Sequence, residues 1–140
     1  MIKVAFIEDN ELLLNEYEAT LQVSKEIECV LAVDGIESFI QTYDSEAIDL
    51  IFLDLMLVGM DGLNGIPKLQ KLVPQASIII LSLYITNKLI AKALKAGASG
   101  YLAKGMEGEE LINGIKKMYD NKDLFSPDMR DKMLKFFNPL

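Results

Sequence analysis

Histidine and tryptophan are both missing from the 140-residue chain, and cysteine occurs once, at Cys29. Without His there is no usual zinc ligand and no usual general base near neutral pH. One Cys excludes a disulfide framework and any Cys-based metal site, so Cys29, in the strand-like run between Glu28 and Val30, reads as a reduced core thiol. Basic residues are scarce. Only 14 Lys and Arg stand against 21 Asp and Glu, and a net charge of −7 argues against this chain gripping nucleic acid itself. Long apolar runs are lacking too: "LIFLDLMLVGM" and "ASIIILSLYI" fall well short of a membrane span and are broken by Asp54 or polar residues. Met1 leads directly into "IKVAFIED", too short and too soon acidic for a signal peptide. The expectation is a cytoplasmic chain without membrane contact. Its chemistry must run on carboxylates, hydroxyls and amines, with a hard metal ion as an optional addition.

What is present is a regular alternation. Five strand-length apolar runs cover 3–7, 27–33, 48–53, 77–81 and 99–103. Between them lie helical stripes: Leu13, Leu14, Tyr17 and Leu21 behind an Asn10 cap; Ile36, Phe39, Ile40 and Tyr43 behind the Asp34-Gly35 turn; and Leu63, Ile66, Leu69 and Leu72. Leu89, Ile90, Ala93 and Leu94 make the fourth stripe, closed by Gly97. Leu111, Ile112, Ile115, Met118 and Tyr119 make the fifth. Strands alternating with helices predict an α/β fold, a parallel sheet covered on both faces. Right-handed crossovers bring the C-terminal strand ends to one edge, where ligands bind in open sheets of this kind.

At those ends stand Glu8 and Asp9 after strand 1, Asp54 after strand 3, Ser82 after strand 4 and Lys104 after strand 5. Singly, each has an ordinary explanation: a solvated turn, a strand end, a surface amine. Together they place three carboxylates, a hydroxyl and an amine in one crevice. Carboxylates that close raise one another's pKa unless a cation neutralises them. With oxygen ligands only, the natural cation is Mg²⁺. Asp54 then reads as a nucleophile that forms an acyl phosphate, with the metal and Lys104 offsetting charge on the transferring group.

Here the chain resembles the receiver domains of bacterial two-component response regulators. The matching pieces are "IED", "LDLMLVGMDG", "LS" and "AGASGYLAKG", within roughly residues 2–120, and the "GASGYLAK" phrasing is most similar to the NarL/LuxR-type branch. The resemblance implies a flavodoxin-like (βα)5 doubly wound sheet of strand order 2-1-3-4-5. It implies Asp54 as phosphoacceptor, with Mg²⁺ held by Glu8, Asp9, Asp54 and the Met56 carbonyl. Ser82 is then the switch hydroxyl, Tyr101 the switch aromatic and Lys104 the phosphate-pairing lysine. A sensor histidine kinase is the implied partner, with homodimerisation on phosphorylation. The chain would be a switch, acting catalytically only on its own phosphorylation and dephosphorylation. Three positions depart from the pattern: Val58 where Pro is usual, Gly105 where many receivers have a cis Pro, and Leu83 where a small residue is common.

Lys88, Lys92 and Lys95 fall at i, i+4 and i+7. They make either a solvated face or, as receivers use the helix 4–strand 5–helix 5 side, a partner surface. Gly114 inside helix 5 costs about 1 kcal/mol against Ala, which close approach of another backbone would explain. Met56, Met60 and Leu63 are expected to pack beneath the loop after Asp54. The receiver is expected over 1–122. Residues 123–140 read as a C-terminal helix or linker, with Ser126 as cap, Pro127 in the first turn, and Met129, Met133 and Phe136 or Phe137 on one stripe. In the NarL/LuxR-type regulators that the chain resembles, this region leads toward a helix-turn-helix DNA-binding domain, absent from this chain, so the resemblance implies either transcriptional control through such a domain or a stand-alone receiver. A haloacid-dehalogenase-like phosphatase would need a second Asp where Met56 stands. A flavin module would need Gly- and hydroxyl-rich loops where the acids are.

Overall fold

The computed structural model describes residues 1–55, 62–83 and 87–121. Five strands alternate with five helices: β1 (Ile2–Ile7), α1 (Glu11–Gln22), β2 (Ile27–Val33), α2 (Ile36–Thr42), β3 (Leu50–Asp54), α3 (Gly62–Leu72), β4 (Ser77–Ser82), α4 (Asn87–Ala96), β5 (Gly100–Ala103) and α5 (Glu109–Asp120). All strand pairs are parallel, in the order β2-β1-β3-β4-β5. The expected architecture and strand order are therefore what the chain adopts. The expected sixth helix over 126–137 lies outside the described residues, as do Met56, Val58 and Met60.

Residue parity builds the two faces. Ala5 and Ile7 of β1, Ile51 and Leu53 of β3, and Ile78 and Ile80 of β4 pack with α2, α3 and α4 through Ile36, Phe39, Ile66, Leu69 and Ala93. Their neighbours Val4 and Phe6, Leu50 and Phe52, and Ile79 and Leu81 pack with α1 and α5 through Leu14, Tyr17, Leu21, Leu111 and Ile115. Both faces are buried, so the central strands carry no polar alternation. Phe6 anchors the second face, stacked 4.9 Å from Tyr17 and 5.2 Å from Phe52.

Several local expectations meet their physical cause here. Asn10 Oδ1 accepts the Leu13 N–H at 3.1 Å, capping α1. Gly97 ends α4 at φ +122, a conformation that costs glycine little. The Lys104–Gly105 bond is trans. Other expectations need correction. Ile40 is 40% exposed rather than part of the buried stripe, because the seven-residue α2 presents only Ile36 and Phe39 squarely to the core. A Cβ on Gly114 would meet the Met106 sulfur at 3.2 Å and Leu102 methyls, so side chains and not a backbone crowd that position. Cys29 is a free thiol but only half-buried, at the margin of the core on edge strand β2.

Candidate functional site

Parity also aims the side chains at the strand ends. Glu8 continues the Val4–Phe6 face, Asp54 the Leu50–Phe52 face and Lys104 the Leu102 face, all toward α1 and α5. The three meet. Lys104 Nζ lies 2.6 Å from Glu8 Oε1 and 2.8 Å from Asp54 Oδ2. The carboxylates are buried, 1% exposed for Glu8 and 2% for Asp54. Asp9, one residue past Glu8, points out and is exposed. A carboxylate oxygen from each of Glu8, Asp9 and Asp54 falls within 4.8 Å of the others.

The turn after β1 shapes this arrangement. The Glu8 amide bonds the Val33 carbonyl at 3.0 Å, which fixes the strand end beside β2. Glu8 Oε2 accepts the Asn10 amide at 3.1 Å. Asn10 thus uses its side chain to start α1 and its backbone to hold Glu8, a double role that only the turn geometry reveals. On the far side the Lys104 amide donates to the Ser82 carbonyl at 2.9 Å, tying β5's end to β4.

Electrostatics follow from burial. Burial pushes the Glu8 carboxyl up to about 7, and the adjoining Asp54 carboxylate adds to the rise; Lys104 and the Asn10 amide hold it down. Burial alone would lower the Lys104 ammonium, but its bonds to Asp54 and Glu8 outweigh that and raise it. The Lys104–Glu8 contact at 2.6 Å is ionic rather than a well-aligned hydrogen bond, because Glu8 Oε1 is left without a partner of good geometry. With all three acids ionised, three negative charges face one positive charge, a net −2 that one divalent cation cancels. The donor set is all oxygen, buried on two sides and open at Asp9, which suits a hard cation that keeps several waters. The Met56 carbonyl lies outside the described residues.

Ser82 belongs to the opposite face. It is 2% exposed and, with half-buried Tyr101, lines a small apolar void beneath α4. The β3–β4 register pairs Asp54 with Leu81, putting Ser82 one step past the acid's level. Leu83 follows at 68% exposure. Lys88, Lys92 and Lys95 all lie exposed on α4, away from the acids. The structure therefore gathers Glu8, Asp9, Asp54 and Lys104 into one site, sets Ser82 and Tyr101 behind it, and leaves the lysine stripe on the surface. Sequence reading did not reveal the direct Lys104–Glu8 contact; matching the parities of positions 8, 54 and 104 would have found it.

Residues 4–116 match the response regulator receiver domain family. Over 133 residues the chain is 29% identical to the response regulator UvrY of Escherichia coli K12, covering 95% of this chain and 61% of that protein. It is 27% identical to the response regulator VraR of Staphylococcus epidermidis, covering 94% and 63% respectively. The chain thus spans about three fifths of the length of these relatives. A LuxR-family two-component response regulator from Aurantimonas sp. SI85-9A1 shares the fold at a TM-score of 0.75 and 21% identity, over 96% of each chain. Among the described residues no helix is long and apolar enough to cross a membrane.

Proposed function

This chain belongs to the response regulator receiver domain family, and from that premise we propose that Asp54 accepts a phosphoryl group from a histidine kinase in a Mg²⁺-dependent reaction. One observation carries the reading: a buried carboxylate at the end of a central strand, 2.8 Å from an ammonium and within 4.8 Å of two further acids. An isolated structural Asp would not be given that company.

The chemistry is a displacement at phosphorus. An Asp54 carboxylate oxygen attacks, the bond from phosphorus to the donor's nitrogen breaks, and the electron pair leaves with the nitrogen, which is then protonated. The product is an acyl phosphate on Asp54. Lys104 now holds two carboxylates, so it is already placed to follow charge onto the new phosphoryl oxygens. Mg²⁺ on Glu8, Asp9, Asp54 and the Met56 carbonyl would supply the remaining charge neutralisation. Asp54's burial limits water access to the site. Ser82 and Tyr101 are the proposed readout, and Lys88, Lys92 and Lys95 the proposed partner surface, for a homodimer or another protein. We read transcription as the output, through a DNA-binding domain outside this chain, with stand-alone signalling by protein contact as the second reading. The chain acts only on its own phosphorylation and dephosphorylation, and the expected setting is the cytoplasm.

The test is intact-mass and peptide mass spectrometry after incubation with phosphoramidate and Mg²⁺. One phosphoryl group should appear on Asp54 and disappear in Asp54→Asn, which keeps shape and removes the nucleophile. Modification surviving in that variant, or located elsewhere, would overturn the assignment.

A further inference from the structure

Tyr17 is a titratable core residue that the phosphoryl chemistry above does not use. It is buried in α1 and stacks on Phe6 at 4.9 Å, a place that phenylalanine would fill equally well. Among the described residues, two buried side-chain polar atoms have no hydrogen-bond partner: the Tyr17 hydroxyl and Glu8 Oε1. A buried polar atom left unpaired is costly, and a native fold keeps few of them. Tyr17 borders a cavity of about 320 Å³ with Glu16, Ala19, Thr20, Met106 and Glu107. Its hydroxyl is nonetheless shut off from solvent, so water in that cavity does not satisfy it. Both orphans belong to one face of the sheet. Phe6 pairs in register with Phe52, and Glu8 and Asp54 each stand two residues further on. The Tyr17 ring over Phe6 therefore lies roughly 7 Å, one strand repeat, short of the acid row. Burial pushes the Tyr17 hydroxyl well above its ordinary value, and the Glu8, Asp54 and Glu16 charges add to the rise, so it stays a donor.

We propose that Tyr17 is a positioning residue whose hydroxyl donates to Glu8 Oε1 whenever Lys104 lets go of that atom. Tyr17 is clamped by its stack on Phe6, whereas Glu8 can turn. Glu8 Oε2 is anchored by the Asn10 amide at 3.1 Å, and Lys104 holds Oε1 at 2.6 Å. Once Lys104 leaves, the carboxylate pivots about Oε2 and Oε1 swings toward the hydroxyl. One contact then satisfies both orphans. Its use in the phosphorylated state, when Lys104 follows charge onto the phosphoryl oxygens, rests on the phosphoacceptor reading of Asp54; the contact itself does not. In that state Glu8 would otherwise be a buried carboxylate stripped of its ammonium. Tyr17 supplies a donor in its place and keeps Glu8 oriented in the site.

A double-mutant cycle tests the contact without any phosphodonor. Tyr17→Phe keeps the stacked ring and removes only the hydroxyl. In urea unfolding at pH 8 it should leave the folding equilibrium constant of the otherwise wild-type protein unchanged or raised, since it removes an orphan. In the Lys104→Met background the same change should lower that constant at least about fivefold. An effect of equal sign and size in both backgrounds overturns the contact. A second arm compares Mg²⁺ alone with Mg²⁺ plus beryllofluoride, and it decides the matter should Lys104→Met not fold. The Tyr17 ¹³Cζ resonance, identified by its absence from Tyr17→Phe, should move when beryllofluoride attaches at Asp54. Affinity for beryllofluoride should be roughly tenfold weaker in Tyr17→Phe. An unmoved resonance, or equal affinity, overturns the role in the phosphorylated state. Failure of beryllofluoride to attach at Asp54 overturns the phosphoacceptor reading instead, and the Lys104→Met cycle still decides the contact.

Discussion

Lys104 carries the charge balance of the acid site, since among the described residues it is the cation that touches both buried carboxylates. Removing one partner of a buried ion pair costs about 3–5 kcal/mol, because the other charge is left uncompensated. Lys104→Met should fall in or below that range, since Glu8 has an escape through protonation. Burial already holds its carboxyl at about 7, above its ordinary 4.5. A raised folded-state value means that the stability tied to this proton is full below 4.5 and lost as pH rises through 7. Urea unfolding in a chelator should therefore show a larger loss for Lys104→Met at pH 8 than at pH 5.5. A loss independent of pH would mean that Glu8 stays ionised. Cys29 offers a second check on burial at the scale of one side chain. Burial pushes its thiol up to about 11, and the Glu18 charge adds to this. At pH 8 the thiolate fraction is then about a hundredfold below that of a thiol at 9.0, so iodoacetamide should label the native protein at least that much more slowly than the urea-unfolded chain. By the same sign rule, the stability from a neutral Cys29 is intact below pH 9 and lost as pH rises toward 11.

At the scale of elements, contacts between helices decide where small residues are required. Gly65 of α3 lies against α2, and a Cβ there would stand 2.0 Å from Ile36 Cδ1. Ile36 is fully buried, so its methyl would have to shift within packed surroundings. Gly65→Ala gains about 1 kcal/mol of helix propensity and loses about 1–3 kcal/mol to overpacking. The expected outcome is net destabilisation, read as a lower urea midpoint at unchanged slope. A more stable variant would show that α2 can retreat from α3. Pro67, inside α3, withholds an amide from the helix ladder, yet the helix runs on to Leu72 because Ile66 and Leu69 are fully buried on its inner face. Tertiary burial outweighs the local penalty there.

For the molecule as a whole, cation binding should appear as stability. A ligand that binds only the folded state adds about 2.7 kcal/mol at a hundredfold excess over its Kd. In a chain of this size that corresponds to roughly 5–10 °C in Tm. Mg²⁺ should raise Tm on that scale, and Asp9→Ala should abolish most of the rise, because Asp9 is the exposed acid through which the site opens. An undiminished rise in Asp9→Ala would move the ion elsewhere on this acidic surface.

Sequence by itself determined the layering of this protein. Five short apolar runs alternating with amphipathic stretches admit few compact solutions, and residue parity along each run assigns Phe6 and Phe52 to one face and Ile7 and Leu53 to the other. Because parallel strands end on one edge, the acids and the lysine were legible as a group from their positions alone. Only the tertiary structure decided how they meet. Distances such as the 2.6 Å between Lys104 and Glu8 depend on strand register and on the turn at Asn10, neither of which is carried by local pattern. The Gln70–Gly97 bond joins residues 27 apart in sequence. It depends on how closely two helices pack, and that spacing is set by every side chain between them.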